Sequence, residues 1–206
     1  MTCVLHIDSS PRGERSLSRG LTNEFNRTWQ QTYPEDKIVY RDLGHNPVPF
    51  VDESWIAAAF SQAGQLTPEL KSAIEISDRL IDEFLVAEIC VFGIPMYNYG
   101  VPANFKAYID QIVRVGRTFA VTSSGYEGLV KEPKKILVVT TRGGSYKDSP
   151  LDFQEPYLRA VFKLIGVTDV SFIHAENLAM GDEARQESLA QARQAIQQFI
   201  EIYQQR

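Results

Sequence analysis

Ala87-Glu88-Ile89-Cys90-Val91-Phe92-Gly93-Ile94-Pro95-Met96-Tyr97-Asn98-Tyr99-Gly100-Val101-Pro102 is the stretch whose reading decides the fold. Residues 87–94 are nearly all apolar and rich in Val and Ile, without the alternation of a strand that has one wet face. They read as a strand buried on both sides, which is the condition of a parallel sheet covered by helices. The segment opened by Pro102 then places Phe105, Ile109, Ile112 and Val113 at helical spacing, so strand, loop and helix follow one another directly.

Working outward, similar apolar runs lie at residues 3–8, 37–41, 134–141 and 169–174. Between the first two, Leu17, Leu21, Phe25 and Trp29 fall four apart on one face of a helix. Thr67-Pro68-Glu69 is a helix start, with Thr67 as N-cap, Pro68 at the first helical position and an acid in the first turn. Leu70, Ile74, Leu80, Ile81, Phe84 and Leu85 supply its buried face. From Asp182 onward Leu189, Ala192, Ile196, Phe199, Ile200 and Tyr203 repeat the period. Five βα units predict a doubly wound, five-stranded parallel sheet in one domain, residues 1–206, with chemistry at the carboxyl ends of the strands. Residues 46–65 form a long insertion with a short helix near Trp55 to Phe60, and residues 116–130 read as a hairpin or flap.

A chain of 206 residues suits a single core, given a prior of about 150 residues per domain. Its formal charge of -5 and dispersed Lys and Arg argue against nucleic acid, whose binding needs a basic face. Cys3 and Cys90 lie in separate apolar runs, outside any Cys-x-x-Cys pair, and read as buried strand thiols. The first residues lack a basic region and an apolar core of signal-peptide length, and no stretch nears the ~20 apolar residues of a membrane span. A cytoplasmic protein with no membrane partner is expected.

Three loops carry chemistry. The first, Ser9-Ser10-Pro11-Arg12-Gly13-Glu14-Arg15-Ser16-Leu17-Ser18, enters a helix whose free N–H groups and partial positive charge suit an anion, with hydroxyls at Ser10, Ser16 and Ser18 to add donors. Plain capping by Ser16 is the alternative. The second, from Pro95 and Met96 through Tyr97, Asn98 and Tyr99, sets aromatic residues at the end of a buried strand, where they can flank a flat ring or simply pack beneath the next helix. The third, Thr141-Arg142-Gly143-Gly144-Ser145-Tyr146, has paired glycines that let main chain approach a ligand, or make a turn. Gathered at one end of the sheet, the loops place a phosphate site beside a planar-ring site, an FMN-shaped constellation.

Other chemistries find no support. Neither Gly-x-x-x-x-Gly-Lys-Ser/Thr nor Gly-x-Gly-x-x-Gly follows the first strand, and no Gly-x-Ser-x-Gly elbow exists. His6, His45 and His174 stand apart from one another, so no metal set is expected.

The set Ser10 with Ser16-Leu17-Ser18, Pro95-Met96-Tyr97-Asn98 and Thr141-Arg142-Gly143-Gly144 resembles the bacterial FMN-dependent NADH-azoreductase and NADH:quinone oxidoreductase family. The likeness extends over almost the whole chain, including Arg41-Asp42-Leu43-Gly44-His45-Asn46-Pro47-Val48-Pro49. It implies a flavodoxin-like fold of strand order 2-1-3-4-5. It also implies FMN held at its phosphate by Ser10 and Ser16 to Ser18, along its ring by Met96 to Tyr99, and at its pyrimidine edge by Thr141 to Gly144. Ser is frequent in relatives where this chain has Thr141 and Phe where it has Tyr99, and His occurs in relatives where it has Tyr146. The implied reaction is two-electron hydride transfer from NADH or NADPH through the flavin N5 to quinones, by a ping-pong scheme, with aromatic azo compounds cleaved in two cycles. No side chain is needed as a catalytic acid or base, and homodimers are typical. A flavodoxin-like electron carrier or flavin-binding regulatory module stays open as the second reading.

Overall fold

Strand β3 (Ile89–Pro95) is buried at every position. In the computed structural model, which describes residues 1–61, 64–131 and 133–204, it pairs in parallel with β1 (Cys3–Asp8) on one side and β6 (Lys135–Thr141) on the other. The outer strands are β2 (Lys37–Asp42) and β7 (Asp169–Ala175), again parallel. A separate antiparallel pair, β4 (Phe119–Thr122) and β5 (Gly125–Gly128), forms the expected hairpin. The sheet order is therefore β2-β1-β3-β6-β7 rather than 2-1-3-4-5: the hairpin takes the fourth and fifth places in the chain without joining the sheet.

Helices cover both faces. Helices α1 (Leu17–Thr32) and α6 (Asp182–Gln204) bury Leu21, Phe25, Trp29, Ile196 and Ile200 against one side. On the other, α3 (Pro68–Val86), α4 (Ala103–Ile112) and α5 (Gln154–Leu164) pack Phe84, Phe105, Tyr108 and Phe162 around Phe92. Each fully buried side chain of this size contributes about 1.5–3 kcal/mol. The expected start of α3 is present: Thr67 Oγ1 accepts from the Leu70 N–H at 3.4 Å, with Pro68 in the first turn.

Several expectations shift. Strand β3 begins at Ile89, two residues late, because Ala87 is still the C-cap of α3. Lys134 precedes β6, its ammonium turning back to donate to the Phe84 carbonyl at 2.7 Å at the end of α3. Cys90 is buried, but Cys3, which opens β1 at the margin of the sheet, is partly exposed. Within the 46–65 insertion, α2 (Glu53–Ala59) buries Trp55, whose indole N–H donates to Gln111 Oε1 at 2.9 Å, while Phe60 stays exposed. Positions 62 and 63 of that insertion, with 132, 205 and 206, lie outside the described residues. Among the described residues no helix is long and apolar enough to cross a membrane.

Candidate active site

The first loop is assembled around two ideas, donors above and a clamp below. After a 3-10 turn at Gly13–Arg15, Ser16 takes extended backbone angles and caps α1, its Oγ accepting from Arg19 N at 3.4 Å. The Ser16 and Ser18 hydroxyls lie 3.1 Å apart, and with Ser10 they are almost fully buried. The N–H groups of Leu17 and Ser18 open the helix and can have no intrahelical acceptor. Beneath them Arg19 holds the loop to β2: its Nε donates to the Ser10 carbonyl at 2.8 Å and its Nη1 to Tyr40 Oη at 2.7 Å, while both terminal nitrogens meet Asp42. Burial works against the Asp42 charge, yet the bonds from Arg19 and His45 prevail and hold its carboxyl well below the usual range. Burial, with Asp8 nearby, pushes the Tyr40 phenol up to about 12, so it stays protonated and donates to Asp8 Oδ2 at 3.1 Å.

The second loop is a tight turn in which Tyr97 and Gly100 exchange two backbone hydrogen bonds of 3.0 Å. Asn98 and Tyr99 between them have φ of 48° and 67°. Positive φ at both central positions is the type I′ geometry, which Asn tolerates and Tyr adopts only under constraint. The strained turn aims Met96, Asn98 and Tyr99 at the third loop, where Gly143 and Tyr146 complete a cavity of about 260 Å³. The rings of Tyr99 and Tyr146 meet edge to face, centroids 5.7 Å apart. Gly143 and Gly144 are not in the left-handed region; a Cβ on Gly143 would come 3.6 Å from Ala179, so the third loop runs close beneath the segment after β7.

Met96 and Gly143 also line a cavity of about 370 Å³ that runs down to Ser10, Ser16 and Leu17, past Pro95, Tyr97, Thr141 and Arg142. Of the residues expected here from sequence, Ser18 and Gly144 line neither space. Ser18 lies under Ser16, and the Gly144 carbonyl accepts from Asn177 N at 3.1 Å.

Sequence reasoning missed the supports. The Arg142 guanidinium is fully buried, donating to Asp152 Oδ2 at 2.8 Å, Glu176 Oε1 at 3.3 Å and Gln154 Oε1 at 3.3 Å. Gln154 in turn donates to the carbonyls of Ile94 and Pro95 at the root of the second loop. Glu176 accepts from the N–H groups of Tyr146 and Lys147 at 2.7 and 2.9 Å. Burial opposes its charge, but these N–H groups and Arg142 hold its carboxyl below the usual range. A four-residue buttress therefore links the second and third loops from behind.

Comparison with known proteins places the chain. Residues 2–200 match the family model of the flavodoxin-like fold. The FMN-dependent NADH:quinone oxidoreductase 1 of Trichormus variabilis is 65% identical over 98% of this chain and 97% of its own. The FMN-dependent NADH:quinone oxidoreductase of a Nostoc species is 60% identical over 97% and 99%. The chain belongs to this family of flavodoxin-like oxidoreductases. Its fold also superposes on an azoreductase from Bacillus anthracis with a TM-score of 0.88 at 28% identity, covering 97% and 99% of the two chains. An FMN-dependent NADH-azoreductase of the same species, solved in complex with FMN, gives 0.85 at 25% identity over 97% and 100%.

The residues present in this oxidoreductase fit FMN. Buried hydroxyls and free helix N–H groups suit a terminal monophosphate, and a slot with aromatic walls suits a flat ring. The two spaces meet at Met96 and Gly143. Beside them a third, apolar groove of about 730 Å³ runs from Tyr97 past Pro11, Pro47, Pro49, Phe50 and Pro102.

Proposed function

We propose that this oxidoreductase binds FMN across the joined cavities and uses NADH or NADPH to reduce quinones, and to cleave aromatic azo compounds in two rounds. The observation that carries the reading is the continuity of a serine-lined anion pocket with an aromatic slot at one end of the sheet. Bound FMN supplies two-electron exchange between a reduced nicotinamide and an acceptor. Ser10, Ser16 and the N–H groups at Leu17 and Ser18 hold its phosphate. Met96 and Tyr97 line its length, Pro95 and Thr141 its base. The amide of Asn98 and the main chain of Gly143 donate to the ring edge, where preorganised donors stabilise developing charge.

Donor and acceptor share one mouth, because the chain has no second nucleotide motif, and this supports a ping-pong scheme. The apolar groove, with Phe50 74% exposed at its rim, supports an acceptor site covered by a second copy in a homodimer. It also favours an enzyme over a simple electron carrier, which has less use for such a groove beside the ring. No spanning helix among the described residues accords with a cytoplasmic location.

The test is initial-rate kinetics of FMN-loaded protein with NADH and menadione or an azo dye, beside the identity of the flavin released by heat. Parallel reciprocal plots and released FMN are expected. Intersecting plots overturn the shared mouth, and protein that neither carries nor takes up FMN overturns the function. Light scattering at micromolar concentration checks the dimer.

A further inference from the structure

The cavity that runs down to the buried serines has a rim unlike the rest of the molecule. The chain carries a net charge of -5, yet the residues lining this cavity include Arg12, Arg15 and Arg185 and no carboxylate. Most arginines elsewhere are matched with acids, such as Arg41 with Glu83, Arg114 with Asp78 and Arg193 with Glu24, whereas among the described residues Arg27 and Arg79 stand singly and line none of the cavities above. Among the described residues Arg12 and Arg15 make no ion pair. Arg185 donates through Nε to the Leu178 carbonyl at 2.9 Å, and its nearest acid, the open surface carboxylate of Asp182, stands 3.9 Å away. Arg142, the fourth arginine of the lining, is charge-paired with Asp152 and Glu176 through Nη1, although its buried Nη2 has no hydrogen-bond partner, so its charge is balanced where those of Arg12 and Arg15 are not.

We infer that Arg12, Arg15 and Arg185 form a cationic collar that captures the phosphates of the reduced nicotinamide donor. The inference rests on the function proposed above. The buried serines and helix N–H groups at the cavity floor already provide for a monophosphate, whereas the three guanidiniums stand exposed at the mouth, where an arriving solute meets them first. NADH brings a pyrophosphate and NADPH a further phosphate, and both approach a protein of the same sign of charge. A local patch of opposite sign removes that repulsion within about 8 Å at physiological salt and raises encounter rates by about 10-fold or more. Guanidinium groups also bind phosphate oxygens two at a time.

The experiment compares the FMN-loaded wild type with the Arg12→Gln/Arg15→Gln variant, using NADH, NADPH and the uncharged donor 1-benzyl-1,4-dihydronicotinamide at low and high salt. FMN affinity is measured separately by fluorescence titration of the apoprotein. The collar predicts that, with FMN held saturating at the Kd measured for each protein, kcat/KM falls about ten-fold for NADH and further for NADPH, that its salt dependence flattens, and that the rate with the uncharged donor changes by less than about two-fold. Equal loss with the uncharged donor, no loss with NADH, or a weakened FMN Kd alone overturns the collar. In each of these cases an active wild type leaves the proposed function standing. A wild type inert with every donor overturns both.

Discussion

The Arg142 guanidinium and the Asp152 carboxylate meet at 2.8 Å with 0% and 6% of their side chains exposed. Ten residues apart in sequence, they join the loop after β6 to the entrance of α5. Removing one partner leaves a buried charge uncompensated, at a cost of about 3–5 kcal/mol. Arg142→Met is therefore expected to lower the urea midpoint strongly and, because Arg142 lines the cavity and braces the second and third loops, to weaken FMN binding. Glu176→Gln keeps an acceptor for the Tyr146 and Lys147 N–H groups and should cost less. Equal unfolding free energies for the two variants would sink the buttress.

The turn at Asn98 and Tyr99 holds two non-glycine residues at positive φ. Left-handed backbone costs an L-residue about 1–2 kcal/mol, and β-branching makes it worse. Tyr99→Val should thus be less stable than Tyr99→Gly, the reverse of the order for an ordinary extended position. Asn98→Gly should leave stability within about 1 kcal/mol of wild type, since relief of strain offsets the added freedom of the unfolded chain. Chemical denaturation of the FMN-free protein measures both.

Two glycines separate a rigid neighbour from a yielding one. A Cβ at Gly44 would overlap the Ser10 carbonyl and the Arg19 guanidinium, the joint that fixes the first loop. At Gly144 it would meet the Tyr146 hydroxyl at 3.3 Å, the far end of a side chain that can swing. Gly44→Ala should weaken FMN binding by at least about ten-fold, or about 1.4 kcal/mol. Gly144→Ala should change it by less than about 1 kcal/mol, and a β-branched residue there by more. Fluorescence titration with FMN reports the difference.

What the sequence made legible was local. The run from Ile89 to Ile94, the Thr67-Pro68 start and the Ser16 cap each declare themselves within a few residues, because burial on both faces, proline geometry and a side-chain acceptor act at short range. The three loops were readable for the same reason. Helix α5 was not, because Phe153 stands at its N-cap without a side-chain bond, and Asp152 instead accepts from Gln154 N and Glu155 N at 3.0 and 3.1 Å. The buttress was hidden as well. Glu176 reaches Arg142 across 34 positions, and a single acid at the end of a strand looks like any other. The same holds for Arg19, which spacing marks only as one more helix residue and which folding turns into the clamp of the first loop.

Acid should loosen that clamp in a calculable direction. Asp42 is held below its ordinary range by Arg19 and His45 against the opposing effect of burial, and Glu176 by the Tyr146 and Lys147 N–H groups and Arg142. A carboxyl depressed in the fold contributes its full stabilisation above the unfolded value of about 4, and loses it as pH falls from there toward the folded value. Between about pH 5 and 7 these two groups are ionised in both states and contribute no slope. Below about pH 4 the unfolded chain takes up protons that the fold refuses, and stability drops by up to about 1.4 kcal/mol per pH unit for each such group. Asp42→Asn should start from a lower plateau, because Arg19 loses its partner, and then fall less steeply with acid by the share of one proton. Urea midpoints from pH 6 down to 3 compare the two curves. An unchanged acid slope in the variant would show that the Arg19–Asp42 joint is not where the fold stores its resistance to protonation.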